Sequence, residues 1–121
     1  MKGPYLNYRK ALGINPQDPS IYNSIAWLLA TCPDEKYRNG TNAISLMERV
    51  TGLNPDNIML LDTLAAAYAE TGRFEHAIKT QERAIHLLER ERRGKELSRL
   101  LERLNSYRSH KPWREKIGTL R

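Results

Sequence analysis

The sequence predicts an all-α fold: a right-handed α-solenoid of stacked helical hairpins, built from a half repeat, two full repeats and a C-terminal capping helix. Three observations predict it. The stretch Leu61–Ala84, LDTLAAAYAETGRFEHAIKTQERA, carries two apolar periods of helical spacing on either side of a glycine. The tetrapeptide GINP at 13–16 returns as GLNP at 52–55, a repeat of 39 residues. Runs of alternating Val, Ile and Thr, which would mark strands, are missing.

The central hairpin is the best-specified element. Leu61, Leu64, Ala65 and Tyr68 recur at helical spacing on one face. Ala65, Ala66 and Ala67 keep the helix slim and favour it intrinsically. Glu70-Thr71-Gly72 ends it, with Gly72 able to take a left-handed cap. A second period follows in Phe74, Ala77, Ile78, Gln81, Ala84, Ile85 and Leu88. So short a link forces the two helices to pack antiparallel. Ala65 on the first and Ala77 and Ala84 on the second let the axes approach closely.

The other elements follow the same rules in chain order. Residues 1–17 read as the half repeat: Pro4 suits a first helical turn, Tyr5, Tyr8, Ala11 and Leu12 share a face, and Gly13 ends the helix. Residues 18–55 form a repeat with a long inter-helix loop. Asp18 is its N-cap and Pro19 its first turn. Tyr22, Ile25, Ala26 and Leu29 align with Leu61, Leu64, Ala65 and Tyr68. Pro33 stops the helix, and Pro33–Gly40 is read as a loop with an Asn-Gly turn. A helix over about 41–51 then turns Ala43, Ile44, Met47 and Val50 inward, with Gly52 as its cap. Residues 56–92 form the next repeat. Residues 93–121 hold the capping helix and tail: Gly94 breaks the preceding helix, and a helix over about 95–109 turns Leu97, Leu100, Leu101, Leu104 and Tyr107 inward. Arg99, Glu102, Arg103 and Arg108 then face water.

These residues resemble the tetratricopeptide repeat, whose pattern runs W-x-x-L-G-x-x-Y, then A-x-x-x-F, then P. Leu61 stands for the Trp; Leu64, Tyr68 and Ala77 match; Ala65 replaces the Gly; Gln81 stands at the Phe and Glu89 at the Pro. The 39-residue repeat is longer than the family period of about 34 by the extra loop residues. The phrase AWLLATCPDEKYRNGTNAI is similar to a variant repeat of bacterial members with the same long turn. The tail YRSHKPWREKI is similar to the Tyr-Arg-x-x-Lys-Pro-aromatic-Arg-Glu ending of many such chains.

The resemblance implies a non-enzymatic scaffold that binds a protein or peptide on its concave face. The first helices of successive pairs line that groove. Carried over residue by residue, the lining is Asn23, Trp27 and Thr31, then Asp62, Thr63, Ala66 and Glu70. Each lies about one helical step off its core stripe, so geometry gives the same set. Trp27 has two readings: an aromatic anchor for a partner, or a ring packed under the loop 33–40. Some relatives clamp a terminal carboxylate with Lys, Asn and Arg. Asn23 matches one of these, but Trp27, Asp62 and Thr63 depart, so that specificity is not carried over.

Composition narrows the alternatives. Residues 1–60 hold six Lys or Arg against five Asp or Glu, and residues 61–121 hold fourteen against nine. The excess gathers from Arg90 onward, in Arg90, Arg92, Arg93, Lys95, Arg99 and Arg103. This basic patch supports an alternative reading, an acidic partner or a nucleic acid. A structural or regulatory fragment of a longer protein is a further one, since the first helix lacks a hairpin partner. Its edge, with Leu6 and the flank of Tyr22 uncovered, points to a homodimer through the N-terminal edge. Cys32 is the lone cysteine and fits a reducing compartment. No apolar run reaches membrane-spanning length, and the N-terminus lacks a signal peptide's apolar core. These features predict a cytoplasmic protein with no membrane partner. His76, His86 and His110 have no second ligand at metal spacing, and no phosphate loop or catalytic triad pattern occurs, so neither metal nor cofactor is expected.

Overall fold

The structure is a computed structural model that describes residues 18–91 and 94–115. The half-repeat helix and the N-terminal dimer edge expected from the sequence lie outside these residues.

Helix α1 spans Pro19–Thr31. Asp18 caps it, accepting from Ser20 N at 2.9 Å and Ser20 Oγ at 2.7 Å, and Pro19 occupies the first turn. The Cys32-Pro33 step ends it. A short 3-10 turn, Glu35–Tyr37, follows within the loop. Helix α2 spans Gly40–Leu53. Asn39 does not form an Asn-Gly turn: its side chain caps α2 by accepting from Asn42 N at 3.1 Å. Gly40 is the first helical residue, because α2 starts against the end of the next helix. A Cβ there would lie 2.7 Å from Thr71 Cγ2 and 2.9 Å from Glu70 Cγ.

Helix α3 spans Ile58–Glu70 and is capped by Asn57, which accepts from Leu60 N at 3.1 Å. Its end is a Schellman turn: Gly72 N donates to Ala69 O, Arg73 N donates to Tyr68 O, and Gly72 takes the left-handed φ of 82°. Gly52, read as an equivalent cap, is not one. Helix α2 runs through it to Leu53, and the Asn54 backbone caps it instead by donating to Thr51 O and Val50 O. Helix α4 spans Phe74–Glu91 and α5 spans Gly94–Arg108.

Each helix packs on its neighbours in a row: α1 on α2 and α3, α2 on α3, α3 on α4, and α4 on α5. This is an all-α solenoid of paired helices. The predicted stripes are buried: Tyr22, Ile25, Ala26 and Leu29 on α1, Ala43, Ile44, Met47 and Val50 on α2, and Leu61, Leu64, Ala65 and Tyr68 on α3. Ala65, Ala77 and Ala84 are wholly enclosed where α3 meets α4, which is what brings those axes close. Ala65→Leu is therefore expected to cost about 1–3 kcal/mol by overpacking. A denaturant midpoint equal to that of the parent protein would refute this pairing.

Among the described residues two apolar clusters make up the core. The larger joins α1, α2, most of α3, the start of α4 and Tyr107 from α5. The smaller joins Leu61 with Ala84, Ile85, Leu88, Leu100 and Leu104. Leu101 was expected inward but is 41 % exposed. Among the described residues α5 packs on α4 along a stripe of Leu100, Leu104 and Tyr107, and Leu101 falls beside it.

Candidate partner-binding groove

Helices α1 and α3 lie side by side, and Arg103 of α5 reaches the residues of both. Asp62, on α3, is buried and held at both oxygens. Its Oδ1 accepts from Gln81 Nε2 at 3.0 Å, and its Oδ2 pairs with Arg103 Nη1. Gln81 Nε2 also donates to Leu100 O at 3.1 Å, tying α4 to α5. Burial lifts the Asp62 carboxyl above the ordinary carboxylate range, against the opposing pull of Arg103 and the Gln81 hydrogen bond. Burial beside that carboxylate also pushes the Tyr107 phenol far up, so it stays protonated.

Arg103 is the correction this site forces on the sequence reading. It was expected to face water and to belong to the basic patch. Its side chain is only 14 % exposed, and its guanidinium carbon lies 4.6 Å from the Trp27 ring centroid and 5.6 Å from that of Trp113. A buried carboxylate on α3 draws the cation in. Of the remaining patch residues, Arg90, Lys95 and Arg99 are exposed, while Arg92 and Arg93 lie outside the described residues. A cleft of about 430 Å³ opens between the starts of α3 and α5. Its rim mixes Arg99 with Glu91 and Glu96, and Met59 contributes apolar surface.

The groove face was expected to be open. It is covered by the chain itself, because a second Schellman turn ends α5. His110 N donates to Tyr107 O, Lys111 N donates to Ser106 O at 2.9 Å, and His110 takes the left-handed φ of 58°. That conformation disfavours a side chain with a Cβ. Here the His110 ring stacks on Phe74, with centroids 5.2 Å apart. The turn sends 111–115 back across α3 to α1, where Glu115 N donates to Thr31 O at 2.9 Å. Trp27 Nε1 donates to Glu115 Oε1 at 3.1 Å, and Arg114 Nη1 lies 2.6 Å from Glu70 Oε1. Trp113 packs against the larger core cluster.

The predicted groove residues fall into two groups. Trp27, Thr31, Asp62 and Glu70 are joined through Arg103 and the 113–115 segment. Trp27 faces the tail and α5. Asn23 is half-buried, and its Oδ1 has no hydrogen-bond partner among the described residues. Thr63 and Ala66 are buried, and the Thr63 hydroxyl bonds its own helix at Met59 O. Glu70 also accepts from Arg38 Nε at 3.2 Å, while Arg38 Nη1 donates to Cys32 O and Pro33 O. One carboxylate thus anchors both the long loop and the tail.

Sequence reasoning missed Arg103, Trp113, Arg114 and Glu115 as parts of this face. A signal existed at Gln81: a polar residue at a core position, where the repeat pattern has Phe, implies a buried polar partner.

A family model of the tetratricopeptide repeat matches residues 60–87, which cover nearly all of α3, the Gly72 turn and most of α4. The chain contains a tetratricopeptide repeat. Such repeats are scaffolds for protein interaction, so the α3–α4 hairpin is one unit of an interaction scaffold. The α1–α2 hairpin buries an equivalent stripe but lies outside that match, and its helices are separated by the long loop from Cys32 to Asn39. No curated protein and no solved structure matches the chain. Among the described residues no helix is long and apolar enough to cross a membrane.

Proposed function

We propose that this tetratricopeptide repeat protein is a non-enzymatic scaffold that binds an extended segment of a partner protein on the face built by α1, α3 and α5. One observation carries the reading: that face already holds a non-helical stretch of the chain itself. The contacts it makes to 113–115 are of the kinds a peptide ligand uses, namely a main-chain hydrogen bond, an indole donor to a carboxylate, and an ion pair at a helix end. Trp27 supplies both a ring and an N–H, as binding anchors do.

The alternative, an acidic partner or nucleic acid on the basic region, is supported by the exposed Arg90, Lys95 and Arg99. It is weakened by Arg103, which the buried carboxylate withdraws, and by Glu91 and Glu96 beside the same cleft.

The test is selection from a random peptide library displayed on phage, followed by titration of the chosen peptides. Trp27→Ala and Glu70→Ala are each expected to weaken them about tenfold or more, as anchor truncations do. Peptides that ignore both changes, on variants with parental circular dichroism, would refute the assignment of this face.

A further inference from the structure

Three successive residues of the tail each find a different partner on the groove face. Trp113 lies half-buried on the core and within reach of the Arg103 cation, Arg114 meets Glu70, and Glu115 receives the Trp27 N–H. The main chain adds the Glu115 N to Thr31 O bond. The tail is aimed there by a structured turn at His110, with Pro112 just beyond it restricting the backbone.

The contacts are several and individually modest. Arg114 keeps 33 % of its side chain in water, and part-exposed ion pairs hold little. Buried polar atoms without a hydrogen-bond partner among the described residues include Asn23 Oδ1 on α1, Arg103 Nε on α5 and Trp113 Nε1 on the tail. A segment held this way occupies its site mainly because its tether is short, which makes its effective concentration high. It can be displaced by an untethered segment that makes the same contacts better.

We infer that Lys111–Glu115 is an intramolecular ligand that closes the groove, and that the partner segment it excludes carries an aromatic side chain followed two residues later by a carboxylate. The inference rests on the proposed groove function and names its ligand class. The aromatic ring stands for Trp113 over Arg103. The carboxylate stands for Glu115 at the Trp27 N–H. A basic residue between them meets Glu70. Partner binding then requires the tail to leave, so apparent affinity is reduced by the fraction of molecules in which the tail is docked.

The experiment uses a fluorescein-labelled peptide with the sequence Ser-His-Lys-Pro-Trp-Arg-Glu, titrated by anisotropy into the full chain. Three forms are compared: the parent, Trp113→Ala, and the double variant Arg114→Ala with Glu115→Ala, which leaves the packed indole in place. The tail-weakened forms are expected to bind the peptide about tenfold or more tightly than the parent. Replacing the peptide's Trp or its Glu by Ala removes that gain. Equal binding to all three folded forms would overturn the inference.

The phage library is panned on the same variants. If they bind library peptides through Trp27 but not the tail peptide, the ligand class is wrong and the groove reading stands. If folded variants bind neither, both fail. A parent that dimerises with rising concentration, and loses the dimer with the tail substitutions, would show that the tail serves a second copy, and would overturn the intramolecular closure.

Discussion

Replacing Arg103 by alanine is expected to lower the free energy of unfolding by about 3–5 kcal/mol, because it strands a buried charge. Asp62 would keep its Gln81 hydrogen bond but lose the cation that offsets its desolvation. The loss should depend on pH in a defined sense. Burial raises the folded-state pKa of this carboxyl, so the folded chain holds the proton more tightly than the unfolded one. Stability from that proton is fully present below the unfolded pKa and is lost as pH rises through the folded pKa. The Arg103→Ala deficit should therefore be largest near neutrality and shrink on acidification. Adding Asp62→Asn to the variant should recover part of the loss at neutral pH. Urea melts at several pH values would check both points, and a deficit that grows on acidification would contradict the account.

The second large effect is expected at Tyr107. Its side chain is wholly buried, and it joins the larger core cluster although its helix neighbours Leu100 and Leu104 belong to the smaller one. It is the residue that fastens the terminal helix to the body of the stack. Tyr107→Ala should cost about 3–5 kcal/mol, as large aromatic truncations do. Tyr107→Phe should cost far less, within about 0.5 kcal/mol, since the hydroxyl has no hydrogen-bond partner among the described residues. Thermal melts of the pair separate the two effects. A Phe variant as damaged as the Ala variant would mean that the phenol oxygen carries the contact.

How far these features could be read in the sequence depends on whether their cause is local. The α1, α2 and α3 stripes were legible because helical periodicity fixes a face from residues three and four apart. The caps at Asp18 and Gly72 were legible because a side-chain acceptor and a left-handed glycine act within a few residues. Gly52 misled because glycine permits a cap without enforcing one, and the next residues continued the helix. Arg103 was misread for another reason. A charge beside an apolar stripe is sent to water by default, and only a carboxylate 41 residues earlier reverses that. The tail was similar to a known ending, yet it carries no period, and its placement follows from a turn whose left-handed residue is a histidine. Among the expected groove residues, Trp27, Asp62 and Glu70 were chosen by their step off the core stripe, and the structure joins them through Arg103 and residues 113–115. What covers them was not legible, because no local rule brings residues 113–115 to residues 27–31.

The long loop and the end of α3 share one carboxylate, and this has a kinetic consequence for anything that enters the groove. The fixed charges of the face itself are Arg38 and Arg103 against Asp62 and Glu70, which cancel. The docked residues 113–115 bring Arg114 and Glu115, which cancel as well, while Lys111 at the turn adds one positive charge. These paired contact charges add little net field beyond a Debye length of about 8 Å at physiological salt. Steering then comes from charge outside the contact, the chain's net charge of +6 among it, and it weakens as salt rises. Discrimination falls to the order in which charges alternate along the arriving chain, and it is expressed in how long a segment stays once docked.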